Sequence, residues 1–168
     1  MTGSGGGGVV ATDFRGVLRH YPTGVAVITA READGTPVAM VVGTFTSVSL
    51  EPPLVGFLPD RSSTSWPRIR RVGSFCVNVL AADQEDVCRA FVTKAPDRFE
   101  RHAAGDAVSG SPKLAGAVLW VDCDIETVLP AGDHEMVLGR VRDLGVSPEA
   151  RPPLLFWRGG YGAPLPPG

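Results

Sequence analysis

The sequence predicts a mainly β fold, an antiparallel β-barrel of six or seven strands with two or three short helices. Three observations predict it. Short β-branched and apolar runs recur at close spacing along the chain. Glycine (21 residues) and proline (15) are abundant, which multiplies turns and keeps helices short. The helical segments are too few to alternate with the strands, as a doubly wound parallel sheet requires. The 168 residues leave room for one domain, expected over 12–161. A flexible Gly-rich tail is expected at 1–11 and a Gly/Pro arm at 162–168. Gly3, Gly5 and Gly8 satisfy GxGxxG, but only Met1 and Thr2 precede them. A dinucleotide turn needs a strand before it, so the tail reading stands.

Each element has a local cause. Asp13 is placed to cap a helix reaching about His20, with Phe14, Val17, Leu18 and Tyr21 on one side. Pro22 and Gly24 end it. Residues 25–30 form an apolar strand, and Asp34-Gly35 signals a hairpin into 38–45. A strand over 54–58 follows Glu51-Pro52-Pro53, and a helix over 62–71 carries Pro67 in its first turn. Phe75, Val77 and Val79 alternate with Cys76, Asn78 and Leu80, as in a strand buried on both faces. Asp83 and Asp86 open a helix bearing Val87, Cys88, Ala90 and Phe91. In 119–126, Leu119, Val121, Cys123 and Ile125 face the core, while Trp120, Asp122, Asp124 and Glu126 face away. A turn at Pro130-Ala131-Gly132 leads to a strand over 134–144, and 152–156 is a last short strand. Trp66 and Phe75 are expected in the core.

Charge and composition exclude several functions. Sixteen basic and eighteen acidic residues are mixed along the chain, so no polyanion such as nucleic acid is an expected partner. Arg68, Arg70 and Arg71 fit a solvated helix face. No apolar run approaches the ~18 residues of a membrane span. Cys76, Cys88 and Cys123 form no CxxC pair, which argues against zinc and disulfides and suits a reducing, cytoplasmic setting. His20, His102 and His134 lie far apart, and GxSxG, HExxH and Walker patterns are missing, so no metal is expected. Asp133 beside His134 invites a relay reading. Strand neighbours point to opposite faces, so Asp133 is expected to serve the turn instead.

Two hydroxyl clusters remain. Thr44, Thr46, Ser47 and Ser49 crowd a strand end among apolar residues. They read either as an edge strand facing solvent or as a ligand-facing end. Arg61, Ser62, Ser63, Thr64 and Ser65 lie at a helix start, where amides, hydroxyls and an arginine suit a phosphate. Capping accounts for one of those hydroxyls, hardly for all four.

In this order the motifs resemble the short-chain flavin reductase family, the reductase components of two-component flavin-dependent monooxygenases. The matching segments are FRGVLRHYPTGVAVITA (14–30), GTFTSVSLEPPLVGF (43–57), the 61–66 helix start, GSFCVNVLAADQEDVCRAF (73–91), KAPDRF (94–99), GDHEMVLGRV (132–141) and PPLLFWRGGY (152–161). The resemblance implies an FMN-binding split barrel of Greek-key topology, a homodimer that reduces FMN or FAD with a reduced nicotinamide; NADH is expected over NADPH because no basic cluster is placed for a 2′-phosphate. It implies a partner monooxygenase that receives the reduced flavin. Carried over by position, Val42, Gly43, Thr44, Thr46, Ser47 and Val48 meet the isoalloxazine and ribityl groups. Pro59, Asp60, Arg61, Ser63 and Thr64 hold the ribityl and phosphate, and Lys94 and Ala95 border the phosphate or an adenylate. His134 is the expected catalytic residue, beside the nicotinamide with Phe99 and Tyr161. The chain departs from the family's pattern at Val41 and Gly43, where polar residues are common. Two other expectations stay open on the same barrel: a flavin- or haem-binding module without turnover, and a self-contained flavin oxidase.

Overall fold

A computed structural model describes residues 8–165. Gly3 and Gly5 of the tail, and the last three residues of the arm, lie outside the described residues. The chain runs α1 (Ala11–Leu18), β1 (Thr23–Gly24), β2 (Ala26–Arg31), β3 (Pro37–Val42), β4 (Thr46–Leu50), β5 (Pro53–Phe57) and α2 (Trp66–Val72). It continues with β6 (Ser74–Val79), α3 (Glu85–Val92), α4 (Arg98–His102), β7 (Ala103–Asp106) and β8 (Pro112–Leu114). The last elements are β9 (Leu119–Ala131), β10 (His134–Val146), β11 (Leu155–Trp157) and β12 (Gly160–Gly162). Seven strands build the main antiparallel sheet in the order β3-β2-β6-β9-β10-β5-β4. The mainly β, antiparallel expectation holds, and its strand count matches this sheet.

The sheet order places β3 and β4 at opposite edges, yet only Gly43, Thr44 and Phe45 join them. Four residue steps reach at most about 14 Å, so the sheet must curl until its edges nearly meet. The barrel is split there, and the strand end singled out by its hydroxyls is the link across the split. Thr44 secures it: the Leu58 N–H at the end of β5 donates to Thr44 Oγ1 at 2.9 Å.

Inside the barrel, Ile28, Val38, Val42, Phe57, Phe75, Val77, Cys123 and Val137 form one core, closed by Trp66 and Ile69 of α2. A second cluster lies on the outer face of β2 and β3, where Val25, Val27 and Ala39 pack under Val87, Cys88 and Phe91 of α3. Strand parity assigns the residues: Val42 points into the barrel, and Val41 packs against the outer cluster. Phe57 meets both Trp66 and Phe75 edge-on, at ring separations of 5.8 and 5.1 Å.

Several local expectations are corrected. The first helix starts after Val10 with no side-chain cap, so Asp13 sits inside its first turn. The 62–71 helix begins only at Trp66, because residues 62–65 form a turn held by Ser63 Oγ, which accepts from the Ser65 and Trp66 amides. The 38–45 strand ends at Val42, where the chain leaves for the other sheet edge. Asp122 takes the predicted outer face of β9 but is fully buried. The 107–111 loop crosses over it, and the Ser109 N–H and hydroxyl donate to its carboxylate at 2.8 and 2.5 Å. Asn78 holds β8 in the same strap by accepting from the Leu114 N–H at 2.8 Å. Among the described residues no helix is long and apolar enough to cross a membrane.

Candidate functional site

Two pockets flank α3 on the outer face of the barrel, and Val41 lines both. One is polar on one side: Ser62, Ser63, Thr64, Ser65 and Lys94 face Met40, Val41, Phe91 and Val92 across about 370 Å³. The other, about 170 Å³, is walled by Val41, Val42, Gly43, Cys88, Phe156 and Tyr161, with Thr23 and Gly24 at its edge. One hydroxyl- and amine-bearing space thus adjoins one largely apolar space along a single strand.

The polar pocket is built by three separate stretches. Lys94 has a left-handed backbone (φ 56°) just after α3, and its ammonium donates to Thr64 Oγ1 at 2.6 Å. Asp60 Oδ1 accepts from the Ser62 N–H at 2.7 Å, and the Ser62 side chain first, with this backbone bond second, lowers the Asp60 carboxyl below its ordinary range. Asp60 bridges to His134, while the Arg61 and Glu135 amides donate to Asp133 and Pro59 carbonyls at 3.0 Å each. Backbone hydrogen bonds therefore tie the 59–61 loop to the start of β10. Sequence reasoning missed Glu135, which belongs to this link. Its carboxylate accepts from Trp66 Nε1 at 2.5 Å and from Arg70 at 3.0 Å, and these partners hold it below the usual carboxylate range.

Asp133 and His134 do pair, contrary to the strand argument: Nδ1 and Oδ1 are 2.7 Å apart. Strand β10 begins at His134 and Asp133 belongs to the turn, where Gly132 is left-handed (φ 67°), so strict alternation does not bind it. The His134 bond lowers the Asp133 carboxyl, and an ionised carboxylate only accepts. Nδ1 therefore carries the proton, which leaves Nε2 for another partner.

The remaining residues are placed unequally. Gly43, Thr44, Thr46, Ser47 and Val48 are exposed at the split, whereas the Val42 and Pro59 side chains are buried. Ala95 is half-buried beside Lys94, and its carbonyl accepts from Arg98 at 2.8 Å. Tyr161 lines the apolar pocket, and its hydroxyl and the Cys88 sulfur form a hydrogen-bonded pair at 3.4 Å. That bond, with burial second, pushes its phenol up to about 12, so it stays protonated across the working pH range. Phe99 instead packs edge-on against Phe91 at 5.2 Å, and His134 stays with the 59–61 loop. The three expected nicotinamide neighbours thus lie on three different elements.

A split antiparallel barrel with exposed hydroxyls at its seam, and beside it a pocket lined by hydroxyls and one lysine, is an arrangement suited to a flavin-binding oxidoreductase. The comparisons agree. Residues 18–164 match the family model described as the flavin reductase like domain. A flavin reductase of Pseudomonas putida is 55% identical over 149 residues, 89% of this chain and 87% of the relative. The reductase subunit HsaB of a flavin-dependent monooxygenase from Rhodococcus jostii is 44% identical, with coverages of 96% and 83%. The solved structure of the NADH:FAD oxidoreductase SgcE6 from Streptomyces globisporus superposes with TM-score 0.86 at 34% identity, covering 96% of this chain and 99% of that one. This chain belongs to the flavin reductase like domain family.

Proposed function

We propose that the protein is an NADH-dependent flavin reductase that supplies reduced FMN or FAD to a partner monooxygenase. One observation supports the reading: the 62–65 turn and Lys94, far apart in sequence, close one pocket against Val41 of β3, and the neighbouring pocket on the same strand reaches Gly43 at the split. That donor set fits a flavin, with phosphate oxygens for Lys94 and Thr64 and apolar walls for a ring at Val41. When both are bound, a nicotinamide supplies a hydride that the flavin ring accepts. The chain's own task is to bind and orient. Lys94, Ser63 and Thr64 hold the phosphate end, the backbone at Gly43 to Val48 frames the ring, and His134 offers Nε2 to the nicotinamide carboxamide. No nucleophile or proton donor is required of it.

The test is a steady-state assay that crosses FMN, FAD and riboflavin with NADH and NADPH. NADH oxidation that depends on added flavin supports the reading. No flavin association and no oxidation of either dinucleotide overturns it. Within it, Lys94→Ala is expected to raise the dissociation constants of FMN and FAD about tenfold and leave that of riboflavin within about twofold, because only the phosphorylated flavins use the ammonium. Fluorescence quenching reads all three.

A homodimer belongs to the same proposal. Helix α1 has eight residues and buries none of them, while Phe14, Val17, Leu18 and Tyr21 are exposed. So short a helix is not stable in water alone, and a second copy is the surface proposed to cover it. Val48 and Leu50 on the edge strand β4 are exposed as well. Sedimentation at micromolar concentration is expected to give a dimer, and Phe14→Glu/Val17→Glu to shift it toward monomer. A monomeric wild type removes this part of the proposal.

A further inference from the structure

Gly43 is a glycine for a steric reason, and the residue that imposes it is Thr23. The backbone at Gly43 is not in the left-handed region, so its conformation alone would admit any side chain. The space would not. A Cβ on residue 43 would lie 2.8 Å from Thr23 Oγ1 and 3.4 Å from Thr23 Cβ. Thr23 is held there from behind, because β1 pairs with β11 in the register Thr23–Phe156 and Gly24–Leu155. Its side chain therefore takes the place that a side chain on the split-crossing link would fill.

That place is the rim of the apolar pocket. Val41, Val42, Phe156 and Tyr161 supply carbon, and the Cys88 thiol is already spent on the Tyr161 oxygen. A threonine hydroxyl at this rim can both donate and accept. In a mostly apolar pocket a few such groups fix a ligand's orientation. The isoalloxazine suits this arrangement, with an apolar dimethylbenzene end and a pyrimidine end that carries carbonyl oxygens and an N–H.

We propose that Thr23 is a flavin-binding residue whose hydroxyl meets the polar edge of the ring from the position a side chain on residue 43 would otherwise hold. This rests on the flavin reading above. It makes Thr23 and Gly43 one unit, so the hydroxyl can be delivered from either residue but not from both.

The experiment titrates FMN fluorescence with wild type, Thr23→Val, Thr23→Ser, Gly43→Ser and Thr23→Ala/Gly43→Ser, each checked for an unchanged thermal midpoint. Thr23→Val keeps the shape and loses the hydroxyl, and it is expected to weaken FMN binding about five- to tenfold, the worth of one neutral hydrogen bond. Thr23→Ser is expected to stay within about twofold of wild type. Gly43→Ser alone should weaken binding, because its Cβ meets Thr23, and the double variant should recover to within about threefold. If Thr23→Val does not fold, Thr23→Ala against Thr23→Ser makes the same comparison. Equal affinity for wild type and Thr23→Val overturns the proposal, as does an equal loss in Thr23→Val and Thr23→Ser, which would mark packing instead. A wild type that does not quench FMN overturns the flavin reading itself, and this proposal with it.

Discussion

Phe75→Ala is expected to lower the unfolding free energy by about 3–5 kcal/mol, the cost of deleting a large aromatic from a closed core. That is a large share of the ~5–15 kcal/mol that holds most domains folded. Phe75 is fully buried, packs edge-on against Phe57, and extends its ring past its β9 partner Cys123 to Gly139 of β10. Its ring also explains Gly139. A Cβ on Gly139 would stand 2.5 Å from the Phe75 ring tip and 3.0 Å from Cys123 Cβ, with no flexible end to yield. Gly139→Ala should therefore destabilise as well, by about 1–3 kcal/mol. The double variant Phe75→Leu/Gly139→Ala should lose less than the sum of its parts, since the smaller side chain opens the space the methyl needs. Urea denaturation of wild type, Phe75→Leu, Gly139→Ala and the double variant reads the coupling. Strict additivity would mean that ring and glycine do not press on each other.

The same contact marks how far the fold is legible in the sequence. The two-sided apolar alternation of 74–79 and the one-sided alternation of 119–126 are period-two signals, and both strands form where those patterns lie. The Asp34-Gly35 hairpin is equally local: Gly35 has φ 88°, and Asp34 accepts from the Thr36 N–H. By contrast, β7 and β8 have no periodic signature. They exist because Asn78, Thr29 and Asp122 give the strap buried polar partners, a tertiary arrangement that no window of sequence reveals. For the same reason Asp122 looked like a solvent residue.

The candidate site divides along the same line. Its hydroxyl clusters stand out because small polar residues are unusual in apolar surroundings, so the strand end and the 62–65 turn could be singled out. Which hydroxyls are already engaged could not. Thr44 ties down Leu58, and Ser63 caps the turn into α2, as only the structure reports. Thr23 and Glu135 gave no signal at all. One sits in an ordinary Pro-Thr-Gly stop, and the other acts through Trp66, 69 positions away. Strand alternation does not extend to Asp133, which lies one residue before β10 begins.

That pairing shapes the second large effect. His134→Ala is expected to lower kcat/KM for NADH about 30-fold, roughly 2 kcal/mol, while FMN affinity stays within about twofold. The argument is one of orientation. Asp133 holds the Nδ1 proton, so Nε2 is the ring atom left for a ligand, and a nicotinamide carboxamide carries both an N–H donor and a carbonyl acceptor to meet it. The ring is fixed from its backbone too, through the Asp60 bridge and the Glu135 bonds to α2. Loss of the imidazole should therefore act on the dinucleotide and spare the flavin, which is held by Lys94 and the 62–64 turn. The pH dependence has a definite sign. The Asp133 carboxyl is depressed by its bond to His134, so the pairing persists above the ordinary carboxylate range and is lost only as pH falls through the lowered value. In His134→Ala that carboxyl should return toward its ordinary pKa, which an NMR titration follows independently of turnover. Wild-type NADH kinetics in His134→Ala would remove the imidazole from the site. A parallel loss of FMN affinity would mean that the turn, rather than the ring, is what the histidine supports.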